Sequence, residues 1–442
     1  METQEIVRKV YEAGVVGAGG AGFPTHVKLG AEAEIVLVNG AECEPLLKVD
    51  QQLAVRHAKE MVRGLALAMQ AVGAREGIVA LKAKYAEAID AITPLLHENM
   101  RIHILQDVYP AGDEVITIWM ATGRRVPPGD IPLSIGVVVN NVNTLINVAR
   151  AVDEGLPVTH RCLTVTGAVN EPVTVTVPIG TPLRETLALA GGLSIPATDA
   201  AFIDGGPMMG GLLESLDVPV TRTTGGLIAL PADHLLIQRR RADMRSVISM
   251  ARTVCEQCLL CTELCPRHLI GHELPPHLIV RSVNYNHVAK PSVLLSALTC
   301  SECAICEAYA CPVEISPMRL NQALKAQFRQ EGARYEGELR KADPMIEGRL
   351  LPTSRLVARI GLTRYNRKAP WSDVVHAPER VWIRLRQHIG VAAEPCIRVG
   401  DAVRCGQRIA DIPAKAMGAP IHASIDGVVE TIGDDAIVIR RA

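Results

Sequence analysis

Eight of the twelve cysteines fall in two short runs whose spacing suits iron–sulfur chemistry. The first run reads Cys255-x2-Cys258-x2-Cys261-x3-Cys265-Pro, and the second reads Cys300-x2-Cys303-x2-Cys306-x4-Cys311-Pro. In bacterial chains with two 4Fe-4S clusters, three close cysteines hold one cluster, and the fourth, beside a proline, reaches the other. The spacing therefore predicts one cluster on Cys255, Cys258, Cys261 and Cys311, and a second on Cys300, Cys303, Cys306 and Cys265.

Zinc is the alternative ligand for so many cysteines. A structural zinc site takes four ligands and commonly uses two CxxC pairs, whereas each run here is a CxxCxxC closed by Cys-Pro. The second run has four residues before Cys311 where three are usual. Because that thiolate is expected to serve the other cluster, the extra residue is compatible with the assignment.

The composition indicates an intracellular protein without a charged partner. Forty-six basic residues balance 47 acidic ones, which gives no basis for binding nucleic acid or an anionic membrane. We see neither a secretory signal pattern nor a run of roughly 18 apolar residues, so we expect a cytoplasmic chain with no membrane span. The cysteines outside the runs are expected to be mostly small buried residues; they are Cys43, Cys162, Cys396 and Cys405.

A glycine-rich stretch near the N-terminus could bind a phosphate. Gly17, Gly19 and Gly22 match GxGxxG, although a dinucleotide fingerprint expects a strand before it and only two valines precede this one. Glycines let backbone N–H groups approach a phosphate closely, and Lys28 could supply a counter-charge. A glycine-rich turn without a ligand is the alternative.

The sequence predicts several structural units, which must position these residues. Up to about residue 150, apolar runs at 34–39, 77–81 and 101–105 alternate with helical stretches, notably 46–72, which predicts a parallel α/β sheet. From His160 a two-residue period and a helix suggest a small β-grasp module. Arg239, Arg240 and Arg241 are expected on a solvated linker face. The cysteine block is long and helix-rich, and short strands return from about Arg380.

Four motifs carry a resemblance to known flavoproteins. They are residues 17–25 (GAGGAGFPT), 39–45 (NGAECEP), 109–114 (YPAGDE) and 140–144 (NNVNT). Their order is similar to that in the flavin-binding subunit of respiratory NADH dehydrogenase and in the RnfC protein of the Rnf electron-transport complex. With residues 205–211, both cysteine runs and residues 421–429, the whole chain resembles the cobalamin reductases of the propanediol-utilisation microcompartment.

The resemblance implies a multidomain α/β architecture with four parts. These are a Rossmann-like FMN and NADH domain of the complex I 51 kDa type at 1–155, an SLBB β-grasp domain at 156–235, a helical ferredoxin-type domain with two 4Fe-4S clusters at 240–335, and an all-β barrel-sandwich hybrid of the RnfC type at 375–442. In the RnfC protein the barrel-sandwich domain comes first, whereas here the glycine loop does.

The same resemblance implies a set of cofactor-binding residues. The FMN phosphate and ribityl chain would lie near Gly17, Gly19, Lys28, Asn140, Asn141 and Thr144, with Gly20 and Gly22 in the same loop. The isoalloxazine would lie by Asn39, Glu42, Tyr109, Gly112 and Glu114, with Phe23 and Glu44 on the NADH side. Ala18 and Ala41 depart from the respiratory enzyme, which has arginine and aspartate there. As alternatives, Glu42 and Glu44 could cap a helix beginning near Leu46, and Phe23 could be core.

Electron counting fixes the order of these groups. A nicotinamide delivers two electrons as a hydride, a cluster accepts one, and a flavin can do both. The expected enzyme is an NADH-dependent cobalamin reductase that passes electrons from NADH to FMN, to two 4Fe-4S clusters and to cobalamin, without a catalytic side chain of its own. The resemblance implies a cob(I)alamin adenosyltransferase as partner, a microcompartment location, and contact with shell proteins. The N-terminal helix could be an encapsulation tag or the first packed helix.

Other functions stay open. The chain could be an electron-relay component of an Rnf-like or microcompartment assembly with another acceptor, or a scaffold with vestigial cofactors. No corrin-binding motif appears, and the histidines near the cysteines, His268, His272, His277 and His287, lack ligand-like pairing. Lys415 lies near the spacing of a biotin or lipoate lysine, but the usual flanking residues are absent, which favours a docking or structural role for the last domain.

Overall fold

This computed structural model describes residues 1–286 and 290–442. Its first unit is a parallel α/β sheet with helices. Its strands are β1 (Ile35–Gly40), β2 (Glu76–Lys82), β3 (Met100–Leu105) and β5 (Val137–Asn141), in the order β3-β2-β1-β5, with a short β4 (Val108–Tyr109) outside it. The helices are α1 (Thr3–Glu12), α2 (Thr25–Leu29), α3 (Val49–Arg56), α4 (Ala58–Val72), α5 (Ala86–Ile92), α6 (Glu114–Thr122) and α7 (Val142–Ala149).

Helices cover both faces of this sheet, which explains why its strands are apolar almost throughout. Val36 and Val38 of β1 pack in one core with α4 and α7, and Leu37 packs in a second core with α6. The predicted strands are confirmed. The helical stretch predicted over 46–72 is formed by α3 and α4, which are separated at His57, whose backbone leaves the helical region.

The second unit is a five-stranded mixed sheet with one helix. It comprises β6 (His160–Gly167), β7 (Val173–Pro178), α8 (Leu183–Leu189), β8 (Ala200–Asp204), β9 (Gly211–Leu213) and β10 (Gly226–Pro231), with strand order β7-β6-β10-β8-β9. The β6–β10 pair is parallel, and the other pairs are antiparallel. Two strands and then a helix open this unit, as the sequence predicted.

The cysteine block is helical, as predicted. Its helices are α9 (Leu235–Arg241), α10 (Met244–Val254), α11 (Leu260–Glu263), α12 (Pro266–Leu269), α13 (Pro276–Tyr285), α14 (Pro291–Leu295), α15 (Ile305–Ala308) and α16 (Pro317–Gln330). The solvated face expected of the arginines in α9 is wrong for two of them. Arg239 is buried, and Arg240 donates to the backbone oxygens of Pro207 and Gly210.

A connecting segment then returns to the first unit. It comprises α17 (Ile346–Arg349), β11 (Leu351–Pro352) and α18 (Thr353–Arg359), and β11 pairs with β4 in antiparallel register, Leu351 opposite Tyr109. Within the described ranges, none of the helices combines the length and the apolar character needed to cross a bilayer.

The C-terminal unit consists of two small antiparallel sheets packed on each other. Its strands are β12 (Arg380–Arg384), β13 (Glu394–Pro395), β14 (Ala402–Val403), β15 (Arg408–Asp411), β16 (Ile421–His422), β17 (Gly427–Ile432) and β18 (Ala436–Arg441). The unit touches the start of the chain: the N–H of Ile389 donates to Gly22, and the Tyr11 hydroxyl to Asp411. Helix α1 buries Ile6 and Val10, as a packed helix would.

Candidate functional site

The two cysteine runs surround two separate cavities. The outer set, Cys255, Cys258, Cys261 and Cys311, lines a cavity of about 400 Å³. The inner set, Cys265, Cys300, Cys303 and Cys306, lines one of about 300 Å³. The cavities thus gather the cysteines into the two groups that the spacing predicts, with the fourth cysteines exchanged, and their role as cluster ligands stays a prediction.

Both runs curl around their cavities with the same backbone conformation. Gln257 and Leu259 have φ of 56° and 67°, and Glu302 and Ala304, at the equivalent places, have 61° and 60°. The left-handed residues turn the chain so that hydrogen-bond donors reach the sulfur atoms. The side chain of Gln257 donates to Cys255 Sγ, and the N–H of Glu302 to Cys300 Sγ, both across 3.4 Å.

The thiols fit a cluster of several atoms. In the part of the chain that the structure describes, no three His, Cys, Asp or Glu side chains converge closely enough to share one metal ion. Four thiols spread over a cavity wall suit a 4Fe-4S cluster, in which each iron takes one thiolate. Burial raises the pKa of Cys261 and Cys265 to about 12, so a bound metal would displace their protons.

The glycine loop lies between α1 and α2 rather than after a strand. The N–H of Gly17 donates to the carbonyl of Phe23 across 2.8 Å, which closes the loop. Gly20 and Gly22 have φ of 118° and 67°, and a side chain at Gly22 would meet Thr223. The loop therefore needs glycine at these positions whether or not a phosphate binds.

The loop is anchored to the rest of the site from two sides. The N–H of Ala18 donates to the Thr144 hydroxyl, at the start of α7, across 2.9 Å. The buried guanidinium of Arg161, from the second unit, donates to the carbonyl of Ala18 across 2.8 Å. A Cβ at Gly19 would lie 3.4 Å from Asn141. The structure thus brings together Gly17, Gly19, Asn141 and Thr144, as predicted.

The carboxyl ends of β1 and β5 supply amides at the sheet edge where open α/β folds bind ligands. Asn39 donates to the carbonyl of Gly112 across 2.8 Å, and Asn141 to the carboxylate of Asp50 across 2.7 Å. Asn140 is buried, and its Nδ2 has no partner among the described residues. A buried amide normally finds a hydrogen-bond acceptor, which fits the predicted place of a polar cofactor here.

Three more predicted residues lie beside the loop. The ammonium of Lys28 lies 3.2 Å from the carboxylate of Glu114 and donates to the carbonyl of Val139 across 3.0 Å. The same ammonium lies 5.9 Å from the ring centre of Phe23. Phe23 is half-buried and belongs to none of the apolar cores of the described residues.

Glu42 takes the capping role that was the alternative. Its carboxylate accepts the N–H of Asp50 across 2.8 Å and the side-chain amide of Gln51 across 2.6 Å, at the start of α3. Both carboxylate oxygens of Glu42 therefore accept hydrogen bonds from within the chain. Helix α3 begins at Val49.

Glu44 reaches into the second unit instead of capping a helix. Its carboxylate accepts the backbone N–H groups of Met208 and Met209 across 2.9 and 3.2 Å and contacts the Tyr109 hydroxyl across 3.3 Å. A Cβ at Gly206 would overlap this carboxylate. Burial raises the pKa of Glu44 to about 7.

Several site residues gave no signal in the sequence. Asp50, Arg161, Arg240 and Arg267 reach the site from separate parts of the chain. The repeated glycines at 205–211 were the one available sign, and they belong to the loop that holds Glu44.

Two of the histidines near the cysteines form hydrogen bonds within the protein. His272 contacts the carbonyl of Val126 across 2.8 Å, and His277 the Thr262 hydroxyl across 2.7 Å. His268 is half-buried, and His287 lies outside the described residues.

The expectation that the remaining cysteines are mostly buried is only partly correct. Cys162 is buried and Cys43 half-buried, but Cys396 and Cys405 are exposed. Lys415 is exposed in a turn of the C-terminal unit.

Four family models match successive parts of the chain. They are the Nuo51 FMN-binding domain over residues 10–150, the SLBB domain over 163–211, the 4Fe-4S dicluster domain over 254–316 and the RnfC barrel sandwich hybrid domain over 366–441. Their order is the predicted multidomain layout, with an FMN-binding and an iron–sulfur part.

Three curated relatives are similar over much of the chain. Cobalamin reductase PduS of Salmonella typhimurium is 61% identical over 441 residues, which cover 100% of this chain and 97% of that protein. PduS of Citrobacter freundii is 58% identical over 440 residues, with the same coverage. One component of the Na(+)-translocating ferredoxin:NAD(+) oxidoreductase complex of Acetobacterium woodii is 37% identical over 276 residues, 61% of this chain and 59% of that protein.

Proposed function

Because this chain belongs to the family of the cobalamin reductase PduS, we propose that it is an NADH-dependent oxidoreductase that reduces cobalamin through FMN and two 4Fe-4S clusters. The observation that supports this most directly is that eight cysteines line two cavities, one of which includes Cys303, whose backbone carbonyl accepts a hydrogen bond from Tyr109 of the first unit. FMN, when bound, supplies the exchange between a two-electron hydride and single electrons.

Different residues of the first unit would hold different parts of the flavin. Asn140, Asn141, Thr144 and Lys28 surround the glycine loop and would hold the phosphate and ribityl chain. Asn39 fixes the carbonyl of Gly112, and Tyr109 lies between this segment and the inner set. Glu44, whose pKa burial raises to about 7, would lie on the NADH side with Phe23, as the resemblance implies, and would respond to the charge of a bound dinucleotide.

Cysteine thiolates would hold the two clusters, which supply one-electron storage when bound. Each NADH gives two electrons and leaves a proton and NAD⁺. Cob(III)alamin accepts one electron to become cob(II)alamin and a second to become cob(I)alamin, so one NADH matches two reductions. We propose that a cob(I)alamin adenosyltransferase consumes the product, inside a microcompartment whose shell proteins the chain contacts.

The test is an anaerobic assay on the chain with its cofactors loaded. NADH is added, and the corrin absorbance of cob(III)alamin and cob(II)alamin is followed with and without an adenosyltransferase. Loss of oxidised corrin is expected, and it should disappear in Cys255→Ala and Cys300→Ala. Cys396→Ala is the matched control, because Cys396 is exposed and lines neither cavity. If NADH bleaches the flavin while the corrin stays oxidised even with the adenosyltransferase present, a relay role to another acceptor replaces this proposal.

A further inference from the structure

Two contacts, one buried and one partly buried, join the flavin side of the site to the inner set. The Tyr109 hydroxyl, in a residue only 1% exposed, donates to the backbone carbonyl of Cys303 across 2.9 Å. The guanidinium of Arg267, which lines the inner cavity, lies 2.7 Å from the carboxylate of Asp113. Both partners from the first unit belong to residues 109–114, the segment expected to face the isoalloxazine.

The apolar cores show the same association. Tyr109 and Leu46 of the first unit share one core with Cys303, Ala304 and Cys306. Cys311 of the outer set instead packs with Val247, Ala251 and Val280 of α10 and α13, in a core built within the cysteine block. Cys261 of the outer set borders the core that contains Tyr109, but the direct hydrogen bonds with residues 109–114 are made by Cys303 of the inner set and by Arg267 at the inner cavity.

The outer set is more exposed than the inner set, although Cys311 is buried. All four inner cysteines are buried, whereas Cys258 is exposed and Cys255 and Cys261 are half-buried. Leu259 and Leu260, beside Cys258, are 41% and 37% exposed. An external molecule can therefore approach the cysteines of the outer set more closely than those of the inner set, which are all buried.

We infer that the inner set is where electrons enter the cysteine block, past Tyr109, and that the outer set is where they leave the chain, at Cys258. The inference rests on the proposed function and adds an order to it. Electron transfer slows steeply with distance, so the set in contact with the flavin side accepts first, and the set near solvent donates last. Each NADH supplies two electrons, which pass one at a time and reduce cobalamin in two steps.

Two amide side chains that are not predicted ligands each donate a hydrogen bond to a cysteine of one set. Substituting them can therefore distinguish the two sets without removing a ligand. The amide of Asn321, which is buried, donates to Cys300 Sγ across 3.6 Å, and that of Gln257 donates to Cys255 Sγ. Hydrogen bonds to sulfur tune the potential of a cluster. Asn321→Leu should therefore lower the midpoint potential of the inner signal only, and Gln257→Leu that of the outer signal only. Either variant alone identifies both signals, so a folding failure of one leaves the assignment possible.

The experiment follows electron paramagnetic resonance of the loaded chain after rapid mixing with NADH and freezing. The signal that shifts in Asn321→Leu should appear first, and the signal that shifts in Gln257→Leu should relax faster with a soluble gadolinium chelate. The inference is overturned if the Gln257-sensitive signal appears first, if both appear together at the earliest time, or if the chelate relaxes both equally. If dithionite reduces both signals but NADH reduces neither, the proposed function itself fails, and the order fails with it.

Discussion

The ammonium of Lys82, at the end of β2, lies 3.0 Å from the carboxylate of Asp107, and the lysine side chain is only 1% exposed. Lys84 pairs with the same carboxylate across 2.8 Å, but its side chain is 46% exposed. These ammonium groups hold the pKa of Asp107 at about 2, against the desolvation that opposes its charge. One carboxylate thus serves a buried and an exposed cation, which gives a matched comparison.

We expect Asp107→Asn to lower the free energy of unfolding by about 2 kcal/mol, because it leaves the buried Lys82 without a counter-charge while partial exposure of the site moderates the cost. Lys84→Met should cost less than about 1 kcal/mol. Urea denaturation measures both. The stabilisation by Asp107 is present above its unfolded pKa of about 3.9 and is lost as the pH falls towards 2. Equal losses in the two variants would contradict this account.

A second prediction concerns the pH dependence of NADH binding. Since burial raises the pKa of Glu44 to about 7, its carboxyl group is neutral below that pH and ionised above it. An ionised carboxylate would repel the negatively charged dinucleotide, so we expect the KM for NADH to rise as the pH passes about 7. Glu44→Gln should flatten this rise. Flavin reduction is measured between pH 6 and 8, which covers about one pH unit on either side of the Glu44 pKa.

The exposed Glu98 supplies the control for that experiment. Glu98→Gln should keep the pH profile of the wild type, because Glu98 lies away from the site. An unchanged inflection in Glu44→Gln would assign the pH dependence to another group.

A third prediction tests the close contact at Gly206. A Cβ there would overlap the Glu44 carboxylate, whereas a Cβ at Gly211, the first residue of β9, meets nothing within 4 Å. Gly206→Ala should therefore destabilise the chain by roughly 1–3 kcal/mol and weaken NADH binding, as overpacking does. Gly211→Ala should change neither the melting temperature nor the KM for NADH. Similar effects in both variants would mean that the loop responds to lost glycine flexibility rather than to Glu44.

A fourth prediction tests the exchange of cysteines between the runs. Cys311→Ala should lower the iron content from about eight to about four atoms per chain and remove the signal that Gln257→Leu shifts. Cys265→Ala should remove the signal that Asn321→Leu shifts. Iron analysis and electron paramagnetic resonance measure the two effects. If each variant removes the signal of its own run, the fourth ligands are not exchanged.

Local patterns predicted much of the fold. The parallel sheet, the helical cysteine block and the grouping of Cys311 with the first run follow from spacing and periodicity that lie within a few dozen residues. The glycine loop was found from its motif, although the structure closes it with a hydrogen bond between Gly17 and Phe23 instead of placing it after a strand.

Long-range contacts could not be predicted in the same way. Arg161 reaches Ala18 from 143 residues away, and Arg267 reaches Asp113 from 154 residues away. No periodicity links such positions, because each depends on how complete units dock. Arg239 was misplaced for a related reason: a run of three arginines resembles a solvated face until α16, whose Arg319 lies 80 residues further along the chain, packs against it.

The C-terminal unit packs against the beginning of the chain. Units that are far apart in the sequence are therefore neighbours in space. Ile389 and Asp411 contact Gly22 and Tyr11, so this unit sits beside the glycine loop even though more than 360 residues of chain intervene. A gene rearrangement that moved the unit ahead of α1 could preserve those contacts. Domain order in such chains is therefore a poor guide to their architecture, and alignments that require collinearity will miss equivalent neighbours.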